Sequence, residues 1–353
     1  MEARQIEWDG IQLYAGLDLH KNKWTITVRT KTKHLITFTA PPIKEKLVET
    51  FFKKWPKAKI KAVYEAGCFG YHLSDYLNSV GIETIIVAPH RIPTEKGNFV
   101  KTDKIDSKKL ANELSKDSLE TIHLRSKVEI YERNLIRKRK QLVMRRRKIL
   151  VRLKADIVFF NVQIMVTIKE YLSQKVIKVL RKLKYDDEFL SFSINQYLDE
   201  YETLKTNIEI IDNQIENLLN SKKHKRNYEL LRSVPGIGKV TAGAILLEIG
   251  DINRFSNKEK FVSYLGLTPS EYSSGDKIRK GSISGMGHSY LRSLLVECAW
   301  LSIKKDPVLL KKFYHLSEKR GKLVAIVAIA RKLAARIHYV LKTSQPYMVG
   351  VVK

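Results

Sequence analysis

The chain has 353 residues, enough for two or three domains with buried cores. Its 65 Lys and Arg against 37 Asp and Glu leave a net charge of +28, more than solubility requires, and point to a polyanionic partner. A membrane surface is the competing polyanion, but the longest aliphatic run, Leu323 to Ala330, falls far short of the ~20 residues that span a bilayer, and nucleic acid is the expected partner. Two cysteines, Cys68 and Cys298, give neither a disulfide framework nor a metal knuckle, and the N-terminus carries no basic region followed by an apolar core. The expectation is a reduced, cytoplasmic, nucleic-acid-binding protein.

Strand patterns fall over 13–19, 23–30, 35–39, 60–64 and 83–87, and helix patterns over 43–55, 71–80 and 103–114. Three strands in succession, then strands separated by helices, predict a mixed sheet with helices packed against it. Residues 91–101, with Pro93, Gly97 and Asn98, read as an exposed loop. The first strand, within Tyr14-Ala-Gly-Leu-Asp-Leu-His20, carries Asp18 in an otherwise apolar run. Aspartate is depleted in strands and costly to bury unpaired, so a compensating charge is expected, a divalent cation above all.

From about residue 128 the chain turns into long charged helix. Val128, Leu135, Leu142 and Ile149 recur every seventh residue, with Arg137, Lys138, Arg139, Lys140, Arg145, Arg146, Arg147 and Lys148 between them. A second helix places Leu190, Ile194, Tyr197, Tyr201, Leu204, Ile208, Ile211, Ile215 and Leu218 at alternating spacings of four and three, the repeat of a coiled coil. Its flanks are acidic where the first helix is basic; a helical hairpin within one subunit and a coiled coil between subunits both satisfy the pattern. Lys222 to Arg226 reads as a linker, followed by helical stretches at 289–304 and 322–341. The predicted organisation is therefore multidomain, α/β followed by all-α: 1–124, then a basic helix and coiled-coil region over 125–225, then a helical domain over 226–353.

Four carboxylates stand out. Asp18 lies in the first strand, Glu65 ends the fourth, and Asp103 and Asp106 lie one turn apart at the start of a helix. Open α/β sheets place their sites at strand ends, and four carboxylates there can hold two Mg²⁺ ions ~4 Å apart on a reacting phosphate. Taken alone, Asp103 reads as a helix cap and Asp106 as a partner of the helix dipole; only the ordered set on a basic chain favours metal. Gly236 and Gly238 with Lys239, in Pro235-Gly-Ile-Gly-Lys239, fit a helix-hairpin-helix phosphate clamp, a plain glycine turn being the alternative. Further on, Ser273, Ser274 and Gly275 precede Lys277, Arg279 and Lys280, and Arg292 closes Gly287-His-Ser-Tyr-Leu-Arg292. A serine among such cations could attack a phosphate, yet the residues by themselves read as a turn.

Gly16-Leu-Asp-Leu-His-Lys21, Tyr64-Glu-Ala-Gly67, Lys101-Thr-Asp-Lys-Ile-Asp106, the Pro-Gly-Ile-Gly hairpin, Gly266-Leu-Thr-Pro269, Ser274-Gly275 and Gly287 to Arg292 together resemble the insertion-sequence-110 family of DEDD transposases, in order and over nearly the whole chain. Residues 155–195 match nothing in it, and Gly285 stands where many relatives carry lysine. The resemblance implies a RuvC-like (ribonuclease-H-like) N-terminal domain, a coiled coil and a C-terminal transposase domain. It implies Mg²⁺, with Mn²⁺ as its substitute, held by Asp18, Glu65, Asp103 and Asp106. It implies Ser274 as nucleophile, with Ser282 and Ser284 as the fallback serines. It also implies recombination of DNA by dimers that pair into tetramers, guided by a bridge RNA. The rivals are a metal-dependent junction resolvase in which water attacks, and a non-catalytic basic nucleic-acid-binding protein.

Overall fold

A computed structural model describes residues 8–93, 102–271, 280–283 and 285–350. The chain divides into two compact units, Met1–Leu124 and Arg125–Lys353.

The first unit is a five-stranded sheet with helices on both faces. Its elements are β1 (Gln12–Leu19), β2 (Trp24–Arg29), β3 (His34–Ala40), α1 (Lys44–Lys54), β4 (Lys59–Glu65), α2 (His72–Ser79), β5 (Glu83–Val87) and α3 (Asp103–Ser115). The strand order is β3-β2-β1-β4-β5. β1, β2 and β3 form an antiparallel meander, and β4 and β5 add parallel to β1. This is the mixed sheet expected from the sequence.

Alternation along β1 divides its side chains between two cores. Leu13, Ala15 and Leu17 pack with Leu47 and Phe51 of α1 and Leu73 and Leu77 of α2. Tyr14 packs on the opposite face with Leu110 and Leu114 of α3. Gly16 shares the phase of Tyr14, and α3 lies so close there that a Cβ would sit 2.5 Å from the Ala111 amide nitrogen. Thr27 of β2 ties the same helix to the sheet through Ser107 Oγ at 2.9 Å. Asp18 continues that phase, so the sheet aims it at the start of α3.

The second unit opens with α4 (Lys127–Phe159), begun by a capping box between Ser126 and Glu129, then α5 (Gln174–Lys182) and α6 (Glu188–Leu219). α4 and α6 form an antiparallel hairpin within the chain, burying Leu142, Ile149, Leu153 and Ile157 against Ile194, Leu198, Tyr201, Leu204 and Ile208. The buried line departs from the heptads. Leu198 and Leu219 are buried while Tyr197 and Leu218 are half-buried, and Val128 is 56 % exposed. A straight helix of 3.6 residues per turn drifts about 20° per heptad from a 3.5 repeat, which moves the seam by a residue.

The remaining elements are α7 (Lys225–Ser233), α8 (Lys239–Ile249), α9 (Lys258–Tyr264), the ribbon β6 (Pro269–Glu271) with β7 (Lys280–Ile283), α10 (Ser289–Ser302), α11 (Pro307–Arg320) and α12 (Lys322–Thr343). α12 runs through the core, with Ala325, Ile326, Ile329, Ala330, Leu333, Ala334 and Ile337 almost fully buried. Residues 222–226 do not run free between separate units. Lys223 and the buried His224 both bind Glu132 of α4, at 2.8 and 3.1 Å.

Candidate active site

Two carboxylates converge where β1 ends and α3 begins. The tight turn 20–23, closed by the His20 amide donating to the Lys23 carbonyl, places His20 and Lys23 beside them. His20 Nε2 is 3.2 Å from Asp18 Oδ2 and 3.5 Å from Asp103 Oδ1, and Lys23 Nζ is 3.1 Å from Asp103 Oδ2. Thr102, not Asp103, caps α3, its hydroxyl accepting from the Ile105 amide. The Asp103 carboxylate is thus left to face Asp18.

Burial raises the Asp18 carboxyl above its ordinary pKa; Asp103 and Asp106 add to this by repulsion, and His20 opposes it. Asp103 is shifted down, first by the hydrogen bond from Lys23. Asp18, His20 and Asp103 each offer a ligand atom within 4.8 Å of the others. Asp106 and Glu65 do not join that trio. Asp106, one turn along α3, is near enough to act on Asp18 by charge. Glu65 is exposed at the end of β4, one residue beyond the Leu17–Tyr64 pair, at the same end of the sheet as Asp18.

The donor set suits a divalent cation. Carboxylate oxygens are hard ligands of the kind Mg²⁺ and Mn²⁺ take, with water completing the octahedron, whereas imidazole suits iron, nickel, copper and zinc better. The trio spans one ion; a second would need the Glu65 and Asp106 side chains brought in.

The basic residues of α4 divide by what holds them. Arg137 grips the buried Glu248 bidentately at 2.8 and 3.0 Å, and Arg139 pairs with Asp212. Arg145 reaches Glu200 at 4.0 Å, Lys140 lies 4.5 Å over the Tyr290 ring, and Arg146 5.8 Å over Tyr201. Lys138, Arg147 and Lys148 are exposed on the helix.

At the α7–α8 turn, Gly236 has φ +84° and a Cβ there would lie 2.7 Å from Ser302 Oγ, so this glycine serves packing against α10. Gly238, at the start of α8, faces open space, and Lys239 pairs with Glu216 at 2.5 Å. Arg292 donates to the carbonyls of Gly266 and Met286, at 3.3 and 2.9 Å. Ser282 is exposed on β7. Ser273, Ser274, Lys277, Arg279, Ser284 and the Lys280 side chain lie outside the described residues.

Sequence reasoning passed over His20, Lys23, Glu248 and His288. The Asp-x-His spacing of 18 and 20 was the available signal for the first, since strand residues two apart share a face. Glu248 is one acid in the apolar run Ala244-Ile-Leu-Leu-Glu-Ile249, a pattern that itself marks a buried charge in need of a partner.

Residues 228–315 match the family model described as transposase IS116/IS110/IS902 family. Over 348 residues the chain is 27 % identical to the transposase for insertion sequence element IS1533 of Leptospira borgpetersenii, covering 95 % of this chain and 97 % of that one. It is 25 % identical to a probable family 20 transposase of Pseudomonas aeruginosa, covering 95 % and 98 %. A pilin gene-inverting protein of Moraxella bovis is 33 % identical over 174 residues, 48 % of this chain and 54 % of its own. The second unit thus carries a transposase domain of the IS116/IS110/IS902 type, and the chain is similar over nearly its whole length to two transposases.

Proposed function

We propose that the protein is a DNA recombinase that cuts and rejoins strands through a serine, with the carboxylate cluster of the first unit as its metal site. The observation that carries this reading is the convergence of Asp18 and Asp103 from β1 and α3, with Asp106 beside them, at one end of the sheet. A carboxylate cluster of this kind on a chain of net charge +28 fits phosphate chemistry and little else.

Asp18 and Asp103, with Asp106 and Glu65 from the flanking positions, are the residues that would hold Mg²⁺, which when bound offsets the charge of the scissile phosphate. Ser274 is the nucleophile by the family resemblance. Its Oγ forms a bond to phosphorus as the bond from phosphorus to one deoxyribose oxygen breaks. The serine gives up its proton and the departing oxygen takes one. The phosphoester is conserved in the phosphoserine link, so a strand hydroxyl can attack it and rejoin DNA without a nucleotide cofactor. The RuvC-like assignment of the first unit, the helix-hairpin-helix function of the α7–α8 turn, pairing of subunits into dimers and tetramers, and guidance by a bridge RNA belong to the same reading. The exposed cations Lys138, Arg147 and Lys148 supply contacts to nucleic-acid backbone that do not depend on its sequence.

The test is cleavage of a duplex carrying the end of the parent element, with and without Mg²⁺. The reading requires cleavage that needs the metal and is lost in Asp18→Asn and Asp103→Asn. Cleavage that survives both substitutions would rule the cluster out as the site.

A further inference from the structure

The two ends of the stretch that holds the candidate serines meet at one place in the second unit. Gly266 and Gly287 cross there with φ of +70° and +88°, and a Cβ on Gly287 would lie 2.6 Å from the Gly266 nitrogen and 2.7 Å from its Cα. Only two glycines allow so close a crossing. The His288 amide donates to the Tyr264 carbonyl at 2.9 Å, closing the crossing on one side. Arg292, one turn into α10, closes it on the other by donating to both Gly266 O and Met286 O.

Beneath the crossing lies Glu248, 1 % exposed. Its carboxylate accepts from Arg137 and pairs with His288 Nε2 at 3.1 Å, while its carbonyl accepts from the Tyr264 hydroxyl at 3.1 Å. Both roots of the segment are therefore tied to one buried residue of α8. His288 Nδ1 accepts from the Leu291 amide at 3.2 Å, so both ring nitrogens are engaged. With Nε2 donating to the carboxylate, the imidazole has no nitrogen left to take a proton from a serine. The Glu248–His288 pair looks like the orienting half of a catalytic triad, but its geometry makes it an anchor.

We infer that Arg292 and the Glu248–His288 pair are positioning residues: they fix the two roots of segment 267–286, which carries Ser273, Ser274, Ser282 and Ser284, and Arg292 is not a phosphate ligand. A guanidinium suits this role because its planar fork reaches two carbonyls at once, which an ammonium on a flexible stem does not hold in a fixed geometry. The consequence for strand cleavage rests on the serine reading given above; the anchoring itself does not.

The experiment compares the full-length protein with Arg292→Gln and Arg292→Lys, using a labelled duplex carrying the element's end and a random duplex of equal length. Three quantities are measured: the affinity for each duplex from low to high salt, amide exchange at residues 281–283, and covalent protein–DNA adduct. Anchoring predicts for both variants an affinity within twofold of the parent and an unchanged salt slope. It also predicts at least tenfold faster exchange at 281–283 with α12 still protected, and at least tenfold less adduct. Arg292→Lys keeps the charge, so it separates loss of the fork from loss of charge and stands in if Arg292→Gln does not fold. A salt slope that falls by about one unit in Arg292→Gln but not in Arg292→Lys is the signature of a phosphate contact and would overturn the inference. Unchanged exchange at 281–283 in both variants would overturn it too. Should Ser274→Ala retain cleavage, the serine reading fails, while the exchange and salt measurements still decide whether Arg292 anchors the segment.

Discussion

Replacing Glu248 with glutamine tests the buried centre of the second unit. Burial alone would push this carboxyl up, but the hydrogen bonds from His288 and Arg137 outweigh it and hold the group down at about 2, against an ordinary value of 4.5. The gap between 4.5 and about 2, at about 1.4 kcal/mol per pH unit, corresponds to roughly 3–4 kcal/mol of stability. The folded pKa lies below the unfolded one, so this contribution is complete above about pH 4.5 and disappears as pH falls toward about 2. Glu248→Gln should therefore cost roughly 3–4 kcal/mol at pH 7, and the gap from the parent should narrow steadily below pH 4.5. Arg137, half-exposed, can return to water in the variant, which keeps the cost below the upper range for a broken buried pair. Urea unfolding of protein labelled with fluorotryptophan resolves this, because Trp300, packed on Phe313, is the second unit's one tryptophan and Trp8, Trp24 and Trp55 belong to the first. A loss under about 0.5 kcal/mol at neutral pH, or one that stays constant down to pH 2, would refute the reasoning.

The other expectations are simpler to read. Gly16→Ala should destabilise the first unit by at least about 1–3 kcal/mol, seen in its unfolding midpoint, because the added methyl meets the α3 backbone. Mg²⁺ at ten times its dissociation constant should stabilise the parent's first unit by about 1.4 kcal/mol and leave Asp18→Asn unmoved; equal shifts in both proteins would place the ion elsewhere. Without metal, Asp18→Asn should unfold no more easily than the parent, since it removes one of three carboxylates that repel each other. Lys148→Ala should lower the salt slope of DNA binding by about one unit, whereas Arg137→Ala, whose guanidinium is committed to Glu248, should lower stability first.

The sheet was legible because its strands are short apolar runs bounded by turn residues, and the helices 103–114, 289–304 and 322–341 because their apolar spacing is regular. What alternation could not give was the partner of each face. Asp18 and Asp103 meet only because Gly16 admits α3 to the sheet, a tertiary fact that no local pattern contains. The long helices were legible as helices, but the choice between a hairpin within one chain and a pairing between chains was not, since both bury the same stripe. Short elements such as α5, α9 and the β6–β7 ribbon carry too few periods to register. The cations of α4 read as one basic surface in sequence. In the fold Arg137 and Arg139 turn inward to acids more than 70 residues away, at Glu248 and Asp212. Arg292 likewise donates to the carbonyls of Gly266 and Met286, partners that the glycine crossing brings near.

The most direct measurement is a denaturing gel of the protein incubated with Mg²⁺ and an end-labelled duplex from the parent element. A serine recombinase fed by the Asp18 cluster should yield a labelled band that migrates with the protein, survives boiling in detergent and disappears after protease treatment. The band should be absent in both Asp18→Asn and Ser274→Ala. Free cleaved strands without that band, formed equally well by Ser274→Ala, would contradict the serine mechanism and leave a nuclease in which water attacks.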